Sequence, residues 1–255
     1  MIPESMLNIV IPMSGTGKRF QEAGYAFPKP LIDIAGHTMI DLVARNLQPT
    51  SSHHRYIFVC PREQYEQYDL YNIFKGATDN RFETVQLSDR TEGAACTVLM
   101  ASQYIDNEDE LLIANSDQFI DADINEFVQS ARSGGWDGAI MTFKARHPKW
   151  SYARTDKDGR VLETAEKRLI SDNATVGIYY FKHGSDFVRA AQSMIKKDIR
   201  YNGEFYVCPV YNELILEGKN IHIFEIPQEK MHGLGTPEDL NLFLHKMDAG
   251  EVALK

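Results

Sequence analysis

The sequence predicts an α/β fold with an open, mixed, mostly parallel sheet and helices on both faces. Three observations carry that prediction. Apolar strand-like runs alternate with helix-period patterns through the first half of the chain, the mark of repeated β–α units. Leu111-Leu112-Ile113-Ala114 is continuously apolar, as a strand covered on both faces must be, and it stops at Asn115-Ser116-Asp117. Near the start, Ile9-Val10-Ile11 opens directly into a loop of small residues, Ser14-Gly15-Thr16-Gly17.

The remaining elements follow in order. Ile40, Val43, Ala44 and Leu47 fall on one helical face, and Tyr56-Ile57-Phe58-Val59 reads as a strand. Tyr65, Tyr68, Tyr71 and Phe74 predict one amphipathic helix whose aromatic stripe serves packing. A strand at Glu83–Leu87 precedes a helix carrying Ala94, Val98, Ala101 and Ile105. The second half is richer in strands. Asp158-Gly159 between Tyr152–Thr155 and Arg160–Leu162 predicts a hairpin, followed by a strand at Thr175–Phe181 and a helix at Asp186–Ile195. Thr236-Pro237-Glu238-Asp239 supplies a cap, a first-turn proline and two acids at the positive end of a last helix. No repeat, low-complexity run or linker composition interrupts the 255 residues, so a single domain is expected, with halves at about 1–120 and 121–255.

A hydrophobic fraction of 43% can build a full core, and 25% charged residues keep its surface hydrated. The formal net charge of −9 argues against non-specific binding to nucleic acid or to a membrane surface, both of which need a basic face. It also means that an anionic substrate must be met by local cations and a divalent metal. Three cysteines, Cys60, Cys96 and Cys208, are scattered without C-x-x-C spacing and read as reduced thiols. There is no basic start with a long apolar run behind it, and no stretch of the ~20 apolar residues a membrane span needs. A cytoplasmic location is expected. The eight histidines show no ligand spacing, and His53-His54 reads as solvated loop.

The loop after the first strand carries the chemistry. Glycines let backbone N–H groups approach an anion, and concave amide arrays cradle phosphates. Lys18 and Arg19 close the loop, and Lys29 stands between Pro28 and Pro30, whose rings restrict the backbone around it. A P-loop is excluded, because Gly17-Lys18 has Pro12 where its first glycine belongs and Arg19 where its Ser or Thr belongs. A dinucleotide fingerprint is excluded by Phe20, three residues after Gly17. Asp117 ends a buried strand, where ligands of open α/β sheets gather, and a carboxylate there suits Mg²⁺ shared with a triphosphate.

G-x-G-x-R followed by P-K-P resembles the nucleotidyltransferases that make sugar nucleotides, the pyrophosphorylase family, and most closely its small bacterial capsule and surface-polysaccharide members. The likeness extends over nearly the whole chain. It implies a Rossmann-like, glycosyltransferase-A-type fold with a nucleotide-binding first half and an acceptor-binding second half. It further implies transfer of NMP from an NTP, CTP or another pyrimidine favoured, to a small phosphorylated acceptor such as a sugar 1-phosphate or phosphocholine. Pyrophosphate would be released, in the service of capsule or surface-polysaccharide precursor synthesis.

By the same resemblance Arg19, Lys29 and Asp117 are catalytic, with Asp117 also holding Mg²⁺. Met13, Ser14, Gly15, Thr16, Gly17, Lys18, Gly93, Ala94 and Ser116 would contact the nucleotide. Glu166, Lys167, Gly177 and Glu204 would contact the acceptor, with Phe205 and Tyr206 packing beside them. Neighbours on a strand point to opposite faces, so Glu166 and Lys167 can share a pocket only where their strand ends or bulges. One departure stands out: larger family members carry a metal-binding aspartate shortly before their final Gly-Thr-Pro, and here that place is Gly233 in Met231-His232-Gly233-Leu234-Gly235-Thr236-Pro237. That leaves Asp117 with phosphate and water, or recruitment of Glu204 or His232. Beyond substrates, the partner expectation is no nucleic acid and no membrane, with a homodimer left open. Two rivals remain: a glycosyltransferase using a ready-made nucleotide sugar, which would be expected to carry D-x-D where Ser116-Asp117-Gln118 stands, and a non-catalytic nucleotide-binding regulatory subunit.

Overall fold

The computed structural model describes residues 5–254. The strand Leu7–Pro12 lies between His54–Pro61 and Glu110–Ala114 and is parallel to both; Phe82–Leu87 extends the parallel part beyond His54–Pro61. The three inner strands are largely apolar on both faces, as a parallel sheet sandwiched by helices requires, and Leu111 to Ala114 are fully buried, whereas the edge strand Phe82–Leu87 is mostly part-exposed. Burying each such Leu or Ile side chain contributes about 1.5–3 kcal/mol, which is why these runs dictate the sheet's centre.

The long strand Asn173–Phe181 joins the two halves. It runs antiparallel to Glu110–Ala114 on one side and to Gly138–Lys144 on the other, and Ile221–Glu225 adds a parallel strand beyond. The hairpin Tyr152–Thr155 and Val161–Ala165 completes the nine-stranded sheet. Two buried apolar clusters, one on each face, hold helices such as Met39–Asn46 and Gly184–Lys196 against it. A small antiparallel pair, Gln118–Ile120 with Met231–Gly233, sets Gly233 opposite Gln118, beside the end of the Asp117 strand. The last helix, Pro237–Asp248, starts as its sequence predicts, with the Asp239 amide donating to Thr236 Oγ1 at 3.1 Å.

Three local expectations are corrected. The aromatic segment around Tyr65–Phe74 forms two helices, Arg62–Gln67 and Leu70–Ala77, because Asp69 takes a left-handed φ of 49° between them. Phe74 is fully buried and stacks on Phe58 at 3.9 Å, whereas Tyr71 is turned outward. The helix expected over Ala94 to Ile105 is likewise split into Ala94–Leu99 and Ser102–Ile105. His54 is not solvated: it begins a strand in register with Leu7 and is buried, its Nδ1 bonded to the Ser52 carbonyl. Burial accordingly pushes its pKa below the usual histidine value.

Candidate active site

A cavity of about 1040 Å³ opens along the carboxyl ends of the parallel strands. It is lined by Ser14, Gly15, Thr16 and Arg19 from the first loop, with Gly93 and Ala94 from the start of the Ala94–Leu99 helix. A chain of hydroxyls joins these two segments: Ser14 Oγ lies 2.7 Å from Thr97 Oγ1, which lies 2.6 Å from Thr91 Oγ1. Arg19 is exposed and forms no ion pair among the described residues. Three loop residues do not line the cavity. Met13 is buried in the core, its amide bonded to the Val59 carbonyl, and Lys18 points to solvent in an ion pair with Glu22. Gly17 packs against Lys29 instead.

Lys29 and Asp117 line it as well, and Lys29 Nζ donates to Asp117 Oδ2 at 2.9 Å. Pro28 leads into a single 3₁₀ turn, Lys29–Leu31, which fixes the lysine backbone, and its side chain is only 15% exposed. Ser116, beside Asp117, is buried and borders the same space. The ion pair therefore joins two segments far apart in sequence.

Glu166, Lys167, Gly177 and Glu204 all border the same cavity. The hairpin strand ends at Ala165, and Lys167 takes a left-handed φ of 47°, so both members of the Glu166–Lys167 pair turn to the same side. Gly177 sits at an irregularity of its strand with φ of 95°; a Cβ there would lie 2.3 Å from Asn115 Nδ2. Glu166 is nearly buried and accepts a short bond from Ser151 Oγ. Desolvation pushes its pKa above the usual glutamate range, only partly offset by Ser151 and the Lys167 ammonium.

That shift yields a stability prediction. Because the folded pKa is raised, the native state binds more protons than the unfolded chain, and stability falls as pH rises through the folded value. Glu166→Gln, which keeps a group able to accept from Ser151, is expected to raise the unfolding temperature at pH 7.5. The two proteins should converge at about pH 3, below the ordinary glutamate value, where Glu166 is protonated in both states. Thermal unfolding followed by circular dichroism checks this, and equal gains at both pH values would disprove it.

The structure adds residues the sequence did not single out: Arg90, Lys149, Trp150, Ser151, Tyr206 and Asp239 also line the cavity. Tyr206 thus does more than pack, while Phe205 is buried as expected. Lys149 pairs with Asp239 at 3.0 Å and stands 4.6 Å from the Trp150 ring centroid. A cation next to an aromatic was the only trace of this in the sequence, since the hairpin and the last helix bring the group together. No histidine lines the cavity among the described residues, and the Cys208 thiol is pushed far up by burial, so no activated Ser–His or Cys–His pair is present there.

Metal binding can be judged from the donor set. Among the described residues no group of three or more His, Cys, Asp or Glu side chains is placed to hold a metal ion. Asp117 on its own fits Mg²⁺ as an ion shared with substrate phosphates and water. His232 is no candidate partner: it is buried against Phe119 and Phe243 and lies outside this cavity. Glu204 lines the cavity but accepts from Tyr206 Oη at 2.9 Å. At Gly233, the space a side chain would enter is bounded by the Asp239 carboxylate, 3.5 Å from the position of a Cβ. Among the described residues, no helix is long and apolar enough to cross a membrane.

Comparison with known proteins gives the family. A nucleoside-diphosphate-sugar pyrophosphorylase of Vibrio cholerae is 28% identical, with a TM-score of 0.78 over 93% of this chain and 99% of that one. A bifunctional protein GlmU of Methanocaldococcus jannaschii is 23% identical over 216 residues, covering 84% of this chain and 48% of the relative. The catalytic subunit beta of mannose-1-phosphate guanylyltransferase from Drosophila pseudoobscura is 25% identical over 178 residues, 68% of this chain and 47% of the relative. The chain therefore spans about half the length of the curated relatives it matches. The nucleotidyl transferase family matches residues 9–210, which carry the small-residue loop, the Lys29–Asp117 pair and the Glu166–Lys167 turn, and the chain belongs to that family.

Proposed function

We propose that the protein transfers a nucleoside monophosphate from an NTP to a small phosphorylated acceptor and releases pyrophosphate. One observation supports this above the others: a single cavity is lined by the glycine loop with Arg19, by the Lys29–Asp117 pair and by Glu166–Lys167. An acceptor phosphate oxygen attacks the α-phosphorus while the bond to the leaving pyrophosphate breaks, so no enzyme nucleophile is needed. The cavity's own groups suit that demand. Backbone amides of Ser14 to Thr16 with Arg19 hold the triphosphate, Lys29 neutralises charge developing at the α-phosphorus, and Lys167 meets the acceptor phosphate. Glu166 accepts from acceptor hydroxyls. Mg²⁺ held by Asp117, when bound, would neutralise phosphate charge.

CTP or another pyrimidine nucleotide is the favoured donor, a sugar 1-phosphate or similar monoester the acceptor, and cytoplasmic synthesis of surface-polysaccharide precursors the setting. A grid of four NTPs against phosphorylated acceptors, read by pyrophosphate release, tests the reading. Release that depends on both substrates is expected from at least one pyrimidine row. Tight nucleotide binding with no release in any cell would instead establish a regulatory subunit, and reaction only with a ready-made nucleotide sugar would establish a glycosyltransferase.

A further inference from the structure

Lys167 poses a positioning problem. Its left-handed backbone brings it beside Glu166, but a four-carbon side chain that is 34% exposed would ordinarily leave its ammonium free to wander. Its carboxylate neighbour does not hold it closely, since Glu166 Oε1 is 4.0 Å away. Two tyrosines do. Lys167 Nζ stands 4.9 Å from the Tyr206 ring centroid and 5.6 Å from that of Tyr201, both within cation–π range, and the rings meet edge to face at 6.3 Å.

The same ammonium lies 3.3 Å from Tyr206 Oη. An ammonium can only donate, so the phenol oxygen accepts from it, and the one phenolic proton goes to Glu204 Oε2 at 2.9 Å. The direction of the whole chain, Lys167 to Tyr206 to Glu204, is thereby forced. Each link carries charge at one end and is strengthened by it. Burial and Glu204 both raise the Tyr206 pKa, so the phenol keeps its proton throughout the neutral range.

The tyrosines are themselves held. They flank a two-residue turn in which Asn202 and Gly203 have φ of 47° and 81°, and Tyr201 bridges Glu204 across it. The Phe205 amide donates to the Glu92 carbonyl at 2.8 Å, and Arg200 pairs with the Glu92 carboxylate at 2.5 Å while lying 4.0 Å from the Phe205 ring centroid. The turn is thus bolted to the adjoining segment 92–95 of the cavity wall.

We propose that Tyr206, assisted by Tyr201, is a positioning residue that fixes the Lys167 ammonium toward the acceptor phosphate. This rests on the functional reading above, in which Lys167 faces the acceptor. Because Lys167 fills the tyrosine cage, a cationic group on the acceptor finds no place there.

Kinetics of the full-length protein with the best NTP–acceptor pair provide the test, with NTP affinity measured separately by calorimetry. Tyr206→Phe keeps the ring and removes the hydroxyl; it is expected to raise the acceptor KM about 10-fold, the scale of one charge-assisted hydrogen bond, with the NTP Kd changed less than about 2-fold. Tyr201→Ala, which removes one ring face, should raise acceptor KM about 3-fold. In a Lys167→Met background Tyr206→Phe should add nothing, because the tyrosine acts through the lysine. A Tyr206→Phe protein with unchanged acceptor KM, or an equal effect in the Lys167→Met background, overturns the proposal alone. Absence of pyrophosphate release by the unmodified protein with every substrate pair overturns the functional reading and this proposal with it.

Discussion

Asp117→Asn is expected to cut turnover at least ~100-fold while leaving the fold intact, the scale of losing one electrostatic partner of a transition state. The substitution preserves shape and volume, so the surrounding packing has no reason to move. It removes the negative charge that faces Lys29 at 2.9 Å. Asp117 is 28% exposed on its side chain, so the ion pair is partly screened and its loss should cost stability no more than ~1 kcal/mol. The effect must then be catalytic. Pyrophosphate release under saturating substrates reads the turnover, and thermal unfolding reads the fold. A companion measurement gives the result its meaning: Mg²⁺ affinity in the presence of NTP, followed by calorimetry, should fall with the same substitution. A folded Asp117→Asn protein with near-normal turnover would remove the centre of the proposed mechanism.

What the sequence revealed of this fold and site divides along a physical line. The sheet was legible because its strands are apolar runs whose burial outweighs local preference, as at Ile9 to Ile11 and Leu111 to Ala114. Helix ends were less so. The break at Asp69 depends on one residue adopting a left-handed backbone, which no periodicity records. His54 looked polar and loop-like, yet its pairing with Leu7 pulled it into the strand, a tertiary effect that overrides composition. In the site, the loop at Ser14 to Thr16 and Asp117 could be anticipated because each directly follows a strand whose end defines the cleft. Lys149, Tyr206 and Asp239 could not, because separate turns and the last helix carry them to the cavity, and nothing local distinguishes them from surface residues.

Gly93→Ala is expected to weaken the binding of both substrates at once. Gly93 has φ of 122° and ψ of 174°, a region essentially closed to residues with a side chain, so the substitution strains the backbone by about 1–3 kcal/mol before any contact is considered. Contact then adds to the strain. A Cβ at this position would lie 2.4 Å from the Phe205 carbonyl oxygen and 2.6 Å from its amide nitrogen. Both are backbone atoms, and both are engaged: the amide with the Glu92 carbonyl, the carbonyl oxygen with the Ala95 amide at 3.0 Å. Neither can yield without opening the seam between the two walls of the cavity. On one side of that seam lie Thr91 and Thr97, tied to Ser14 of the small-residue loop; on the other lie Glu204 and Tyr206, tied to Lys167. A side chain at Gly93 would therefore disturb both groups of contacts through one displacement, the proposed nucleotide contacts and the proposed acceptor contacts alike. Calorimetry should show weaker NTP binding and kinetics a raised acceptor KM, each by about 10-fold or more for a loss of ~1.4 kcal/mol apiece, with a lowered unfolding temperature beside them. If NTP binding alone weakened and the acceptor KM held, the two walls would be independent, and Gly93 would serve only the nucleotide.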